Sequence, residues 1–170
     1  MSDSSIRMKV SALSVDPLSS APVILLTDES SRMLPIKVGL GEVSAVAAEL
    51  GCIEFERPNT HRLMAALLQR AGATVDRVEI YDVSGDLLYA RIHLVLATGE
   101  AVVEESRPSD ALILALLAGA EIRVASRVLD RAGHTLDDEH DDMDWSLGHS
   151  GAADVELPEF SDDTFGKWKM

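Results

Sequence analysis

Cysteine occurs once in the 170 residues, at Cys52. No internal disulfide can form, and a lone thiol suits a reducing compartment. Aromatic residues amount to 4% of the chain, so a core must be assembled from the Leu, Val, Ile and Ala that dominate its 46% hydrophobic content. The longest apolar run, ALILALLAGA at 111–120, falls well short of the roughly 20 residues that cross a bilayer. The opening MSDSSIRMKV has no apolar stretch of the kind a secretory leader carries. These absences lead to the expectation of a cytoplasmic, soluble protein with no membrane partner. Metal signatures are scarce as well: no HxxxH or CxxC spacing occurs, and the five histidines form no zinc pattern.

Positive charge is the next shortage. Against 29 Asp and Glu stand 15 Lys and Arg, a net charge of −14. The excess is uneven: residues 1–133 hold 13 bases and 18 acids (−5), whereas residues 134–170 hold 2 and 11 (−9). The segment 134–170 also lacks periodicity, which marks it as an acidic, flexible tail ending in the aromatic and basic FGKWKM. The folded domain is expected over 1–133. Its mild acidity leaves room for a local arginine cluster to meet phosphate.

What is present is patterned. MKVSALSV (8–15), APVILLT (21–27) and RMLPIKV (32–38) read as three strands separated by turns, and Glu42 to Leu50 has helical spacing stopped by Gly51. Shifted by 68 positions the order recurs: DRVEIYDV (76–83), LLYARIHLVLA (87–97), EAVVEES (100–106), then a helix from Asp110 to Ala118 stopped by Gly119. Between the halves, NTHRLMAALLQRAG (59–72) has Asn59 as N-cap and an apolar stripe of Leu63, Met64, Leu67 and Leu68. EIRVAS (121–126) follows as a short strand, with a last helical turn or two after it. The fold class expected is α+β: a mixed sheet from two repeated strand-strand-strand-helix units with an extra helix between them.

Two helix starts carry the same dipeptide, Arg57-Pro58-Asn59-Thr60 and Arg107-Pro108-Ser109-Asp110. Proline followed by Asn59 or Ser109 as cap is ordinary helix-start grammar, and Asp110 in a first turn complements the helix dipole. Grammar does not require the arginines. A guanidinium beside free helix amides suits phosphate or carboxylate, with salt bridges to Glu56, Glu104 or Glu105 as the competing use. Glu42 and Asp110 occupy matching positions of the two units and are the carboxylates a divalent cation would need, or alternatively simple capping acids. His61 is placed either as general base or ligand, or as an exposed first-turn residue.

With these residues in view the chain resembles the bifunctional nuclease domain family. The likeness rests on LPIKVGLGEVSAVAAEL (34–50), RPNTHRLMAALLQRAGATVDRV (57–78), LYARIHL (88–94) and ESRPSDALILALLAGAEIRV (105–124), and covers roughly residues 8–131. It implies cleavage of RNA and DNA on a mixed α+β fold with an internally duplicated unit. The family motif falls on Glu42, Arg57, Pro58, Thr60, His61, Glu105, Arg107, Pro108, Ser109 and Asp110. Two positions depart from it: Arg62 stands where the family commonly has an acid, and Glu105 where it often has Asp.

Two readings of function follow. In the first the protein is a nuclease acting on RNA or DNA with divalent-metal assistance (Mg²⁺ or Mn²⁺). There Glu42 and Asp110 hold the metal, His61 acts as base or acid, Arg57 and Arg107 neutralise phosphate, and Thr60, Glu105 and Ser109 support them. Few aromatics are available to stack bases under this reading. In the second the same residues form a polar network that organises helix starts in a non-enzymatic interaction module. A homodimer is expected from the sheet edges that two three-stranded units leave open.

Overall fold

The computed structural model describes residues 4–16 and 19–135. The expected acidic tail therefore lies outside the described residues, apart from its first two positions.

Twelve elements follow in order: β1 (Ser5–Val15), β2 (Pro22–Thr27), β3 (Arg32–Lys37), α1 (Leu40–Glu49), α2 (Thr60–Arg70), β4 (Thr74–Ser84), β5 (Leu87–Val95), β6 (Ala101–Ser106), α3 (Pro108–Ala118), β7 (Glu121–Ala125), α4 (Ser126–Ala132) and the two-residue β8 (His134–Thr135). The fold is mixed α+β, as expected. Each half contributes an antiparallel meander followed by a helix, β1-β2-β3-α1 and β4-β5-β6-α3, with α2 between. The strands form one sheet in the order β6-β5-β4-β7-β1-β2-β3-β8. β7 joins the meanders, parallel to β4 and antiparallel to β1. A parallel neighbour needs a crossover, and β5, β6 and α3 supply it.

Alternation explains which face is covered. Val78, Ile80, Ala90, Ile92, Ile122 and Val124 point to one side and are buried, in one cluster with Ile24, Leu26 and Leu34 and with the α3 residues Leu112, Ile113 and Leu114. Helix α3 is apolar on nearly every side because it packs on β4, β5 and β7 below and on α1 and α2 beside it. Each of its fully buried Leu and Ile side chains contributes about 1.5–3 kcal/mol. Gly119 ends it in a left-handed conformation (φ 65°), which an L side chain adopts only with strain.

Helix α2 forms where expected, capped by Asn59, but rests lightly on the body. Its stripe does not face the core: Leu63 is 55% exposed, Leu67 58% and Met64 40%, and the helix has no buried residue. Only Ala65 and Leu68 pack against the core, because the helix rests on α3 along that one edge. No helix among the described residues is long and apolar enough to cross a membrane.

Candidate functional site at three helix starts

Helices α1, α2 and α3 each deliver a side chain from the first turn to one polar cluster. Gly39 is the N-cap of α1, so Glu42 falls at the third helical position. A Cβ on Gly39 would lie 2.6 Å from Glu42 Oε2, so the glycine lets the carboxylate fold back over its own helix start. Asn59 caps α2 through Oδ1, which accepts the Arg62 amide at 2.9 Å, and His61 takes the second position. Asn59 Nδ2 is buried without a hydrogen-bond partner among the described residues.

At α3 the cap differs from the expected one. Arg107, extended at φ −70° and ψ 146°, is the N-cap, and Pro108 occupies the first helical position. Proline fits there because its missing N–H is one that a helix start leaves unpaired anyway. Ser109 is thus inside the helix and buried, and it is not the cap. Asp110 falls at the third position, matching Glu42.

Arg107 ties the cluster together. Its Nε donates to Asp110 Oδ2 at 2.8 Å and its Nη2 to Asp110 Oδ1 at 3.0 Å, a fork-on-carboxylate geometry. Its Nη1 lies 3.1 Å from Glu42 Oε1. His61 Nε2 lies 3.0 Å from Asp110 Oδ1. Burial alone would raise the Asp110 carboxyl, but the hydrogen bonds from Arg107 and His61 outweigh it and hold the group below the ordinary carboxylate range. The Asp110 partnership in turn raises the Arg107 guanidinium. An ionised carboxylate can only accept, so Nε2 carries the hydrogen in this contact, and a neutral His61 keeps its lone pair on Nδ1. The His61 and Asp110 side chains are 16% and 23% exposed, whereas Arg107 is 67% exposed.

Glu42, His61, Arg107 and Asp110 are therefore brought together. Arg57 is not joined to them: it is exposed and makes no hydrogen bond or ion pair with a described residue. Thr60 is exposed at the first position of α2. Glu105 is turned away from the cluster and accepts the Tyr81 hydroxyl with both oxygens, at 2.8 and 3.0 Å. Arg62, at the third position of α2, reaches Glu49 near the end of α1, with 2.7 Å between Nε and Oε1. It supplies nothing in place of an acid.

The donor set does not fit a divalent cation. Among the described residues no three His, Cys, Asp or Glu side chains converge as a metal requires, and the Arg107 guanidinium bridges the two carboxylates expected to bind one. Sequence reasoning missed a second polar group. Glu79, Arg91 and His93 interact on the uncovered side of β4 and β5, and the alternation of those strands carried the signal.

A family model described as the bifunctional nuclease domain matches residues 23–137. Two uncharacterised proteins of Mycobacterium tuberculosis, from strains CDC 1551 and H37Rv, are each 33% identical over 137 residues, spanning 80% of this chain and 81% of theirs. The matched region contains all three helix starts and the cluster they form, and on that correspondence the chain belongs to the bifunctional nuclease domain family, whose name carries nuclease function at the level of the family.

Proposed function

We propose that the helix-start cluster cleaves phosphodiester bonds of RNA or DNA. The observation that carries the reading is the joining of His61 from α2 to an orienting acid and an arginine from α3, with Glu42 of α1 on the same arginine. His61 Nδ1 takes the proton of the attacking water as its oxygen bonds to phosphorus. The far P–O bond breaks, and the leaving oxygen takes a proton from solvent. Asp110 fixes the His61 tautomer and stabilises the cation that forms. Arg107 and Arg57, which has no partner among the described residues, neutralise the phosphate, with the positive ends of three helix dipoles behind them. Glu42 holds the far side of the Arg107 guanidinium. Because the carboxylates are already bridged by that guanidinium, no step is assigned to Mg²⁺ or Mn²⁺.

The test is cleavage of end-labelled RNA and DNA by purified protein, with Mg²⁺, Mn²⁺ or a chelator, against His61→Ala, Asp110→Ala and Glu42→Ala. Cleavage that persists unchanged in all three variants overturns the proposal. A second reading, a non-enzymatic module, draws on the internal pairing of Arg107 with Asp110 and Glu42, which a purely structural network also needs. Variants that melt earlier while no variant or wild-type protein cleaves anything would establish it. A cytoplasmic location, which the exposed Cys52 suits, is part of the same proposal. So is a homodimer that covers the open sheet edges, which sedimentation velocity of the parent protein would detect.

A further inference from the structure

The side of the sheet away from the helices is not an ordinary solvated face. Reading the register across five strands, Arg7 on β1 stands opposite Arg123 on β7, Arg123 beside Glu79 on β4, Glu79 opposite Arg91 on β5, and Arg91 opposite Glu105 on β6. A charge ladder whose only task was to solvate the sheet would alternate in sign, because like charges placed directly opposite destabilise a sheet. This one begins with two guanidinium groups side by side. They share one acid: Glu121 lies 3.5 Å from Arg7 and 3.0 Å from Arg123. Arg7 is 78% exposed. Next to the pair is a shallow depression of about 340 Å³ lined by Ser5, Asp76, Arg77, Glu121 and Arg123, and its walls are mainly polar.

The second feature is aromatic. The chain has two tyrosines, Tyr81 and Tyr89, and both lie on this face with ring centroids 6.5 Å apart. Tyr89 is 40% exposed. The Arg91 guanidinium lies 4.8 Å from the Tyr81 ring centroid, and Glu105 anchors the Tyr81 hydroxyl. The Tyr81 ring is thus held in a fixed orientation beside a planar cation, with the Tyr89 ring next to it. A charge ladder has no use for an exposed ring. Unstacked bases do: sheet-borne aromatics and arginine planes are general platforms for them, with guanidinium groups to meet the phosphates between.

We propose that this helix-free face binds single-stranded nucleic acid, with Tyr89 and the Arg91–Tyr81 pair stacking bases and the Arg7/Arg123 pair meeting the backbone. A duplex keeps its bases inside and offers these rings nothing. The end of the ladder is also close along the chain to the cluster at the helix starts: Glu105 on β6 is two residues before Arg107, the N-cap of α3, though its own side chain faces Tyr81. A strand crossing the sheet toward β6 is thereby led to the cluster. Only this last step rests on the cleavage reading above; the binding does not.

The experiment is fluorescence anisotropy of labelled 12-nucleotide single-stranded RNA, single-stranded DNA and the matching duplex, using the full chain with His61→Ala so that nothing is cleaved. Binding of either or both single strands supports the proposal, and the RNA and DNA arms report whether the sugar contributes. Tyr89→Ala is expected to weaken that binding roughly tenfold, in line with about 1–3 kcal/mol per stacked base. Tyr89→Phe restores it, and Arg7→Ala weakens it with a shallower salt dependence. Thermal melting of each variant, expected to match the parent because both residues are exposed, separates lost binding from lost fold. Equal affinity of Tyr89→Ala and parent, or a preference for duplex, overturns the inference and leaves the cleavage reading standing. Failure of the unmodified protein to cleave any substrate, with the binding pattern as expected, does the reverse.

Discussion

At residue 107 the arginine is itself the N-cap and Pro108 the first helical residue, whereas at residue 57 the Arg-Pro pair stops one step short and Asn59 takes the cap. The two-residue difference decides where each guanidinium goes. Arg107 stands three residues before Asp110 on the same helix start, close enough to fork onto it and reach across to Glu42. Arg57 is outside its helix and left exposed. The same dipeptide thus gives one arginine a structural and electrostatic task and leaves the other exposed, with no partner among the described residues.

The sharpest way to break this comparison is at the acid only one of the starts possesses. Asp110→Asn is expected to lower phosphodiester cleavage by roughly a hundredfold or more, because it removes the charge that orients His61 and holds Arg107. Steady-state kinetics on a labelled oligonucleotide reads this, and activity within threefold of the parent would show that the pairing is structural only.

Arg107→Ala leaves two partly buried carboxylates facing each other without their cation. A stability loss of about 1–3 kcal/mol is expected in urea unfolding. Arg57→Ala should change stability by less than about 0.5 kcal/mol, since nothing in the folded body depends on it. Its effect is expected in KM. Equal losses for the two would erase the distinction between the starts.

Acid titration tests the same pairing. The Asp110 carboxyl sits below its ordinary value when folded, so its contribution is fully present above the unfolded value of about 4 and is lost as pH falls through the lower folded value. Glu79 acts in the same sense: burial raises it, but Arg91 and His93 bring it down further. The urea midpoint of the parent should therefore drop below about pH 4, and less steeply in Asp110→Asn.

The smallest effects concern the caps. Asn59→Ala is expected to cost about 1 kcal/mol. Asn59→Asp keeps the accepting oxygen, removes the buried Nδ2 that has no partner among the described residues, and should raise the melting temperature by a few degrees. A lower melting temperature for Asn59→Asp would mean that the amide finds a partner after all.

The strands and helices were legible because their periods are local: the alternation at 76–83 and 87–97, and the glycines at 51 and 119, mark β4, β5 and the helix ends within a residue or two. Helix α2 shows where that reading stops. Its Leu63, Met64 and Leu67 have the spacing of a buried stripe, but spacing cannot say whether another element arrives to cover it. Ser109 shows the same limit at shorter range. A serine after proline is a good cap by composition, yet Pro108 is equally good at the first helical position, and the helix starts two residues earlier.

Local sequence, then, determined the order of elements, the apolar character of α3 and the family membership carried by its motifs, because each depends on residues a few positions apart. Tertiary structure alone decided that β7 sits between the meanders, and that Glu42 and Asp110 meet on one guanidinium with His61 against Asp110. It also decided that two tyrosines and a row of charges share the uncovered face. The pairing of β7 with β4 and the cluster join residues about forty to sixty-five positions apart, and only the sheet register and the crossover that carries α3 fix which of them come within reach.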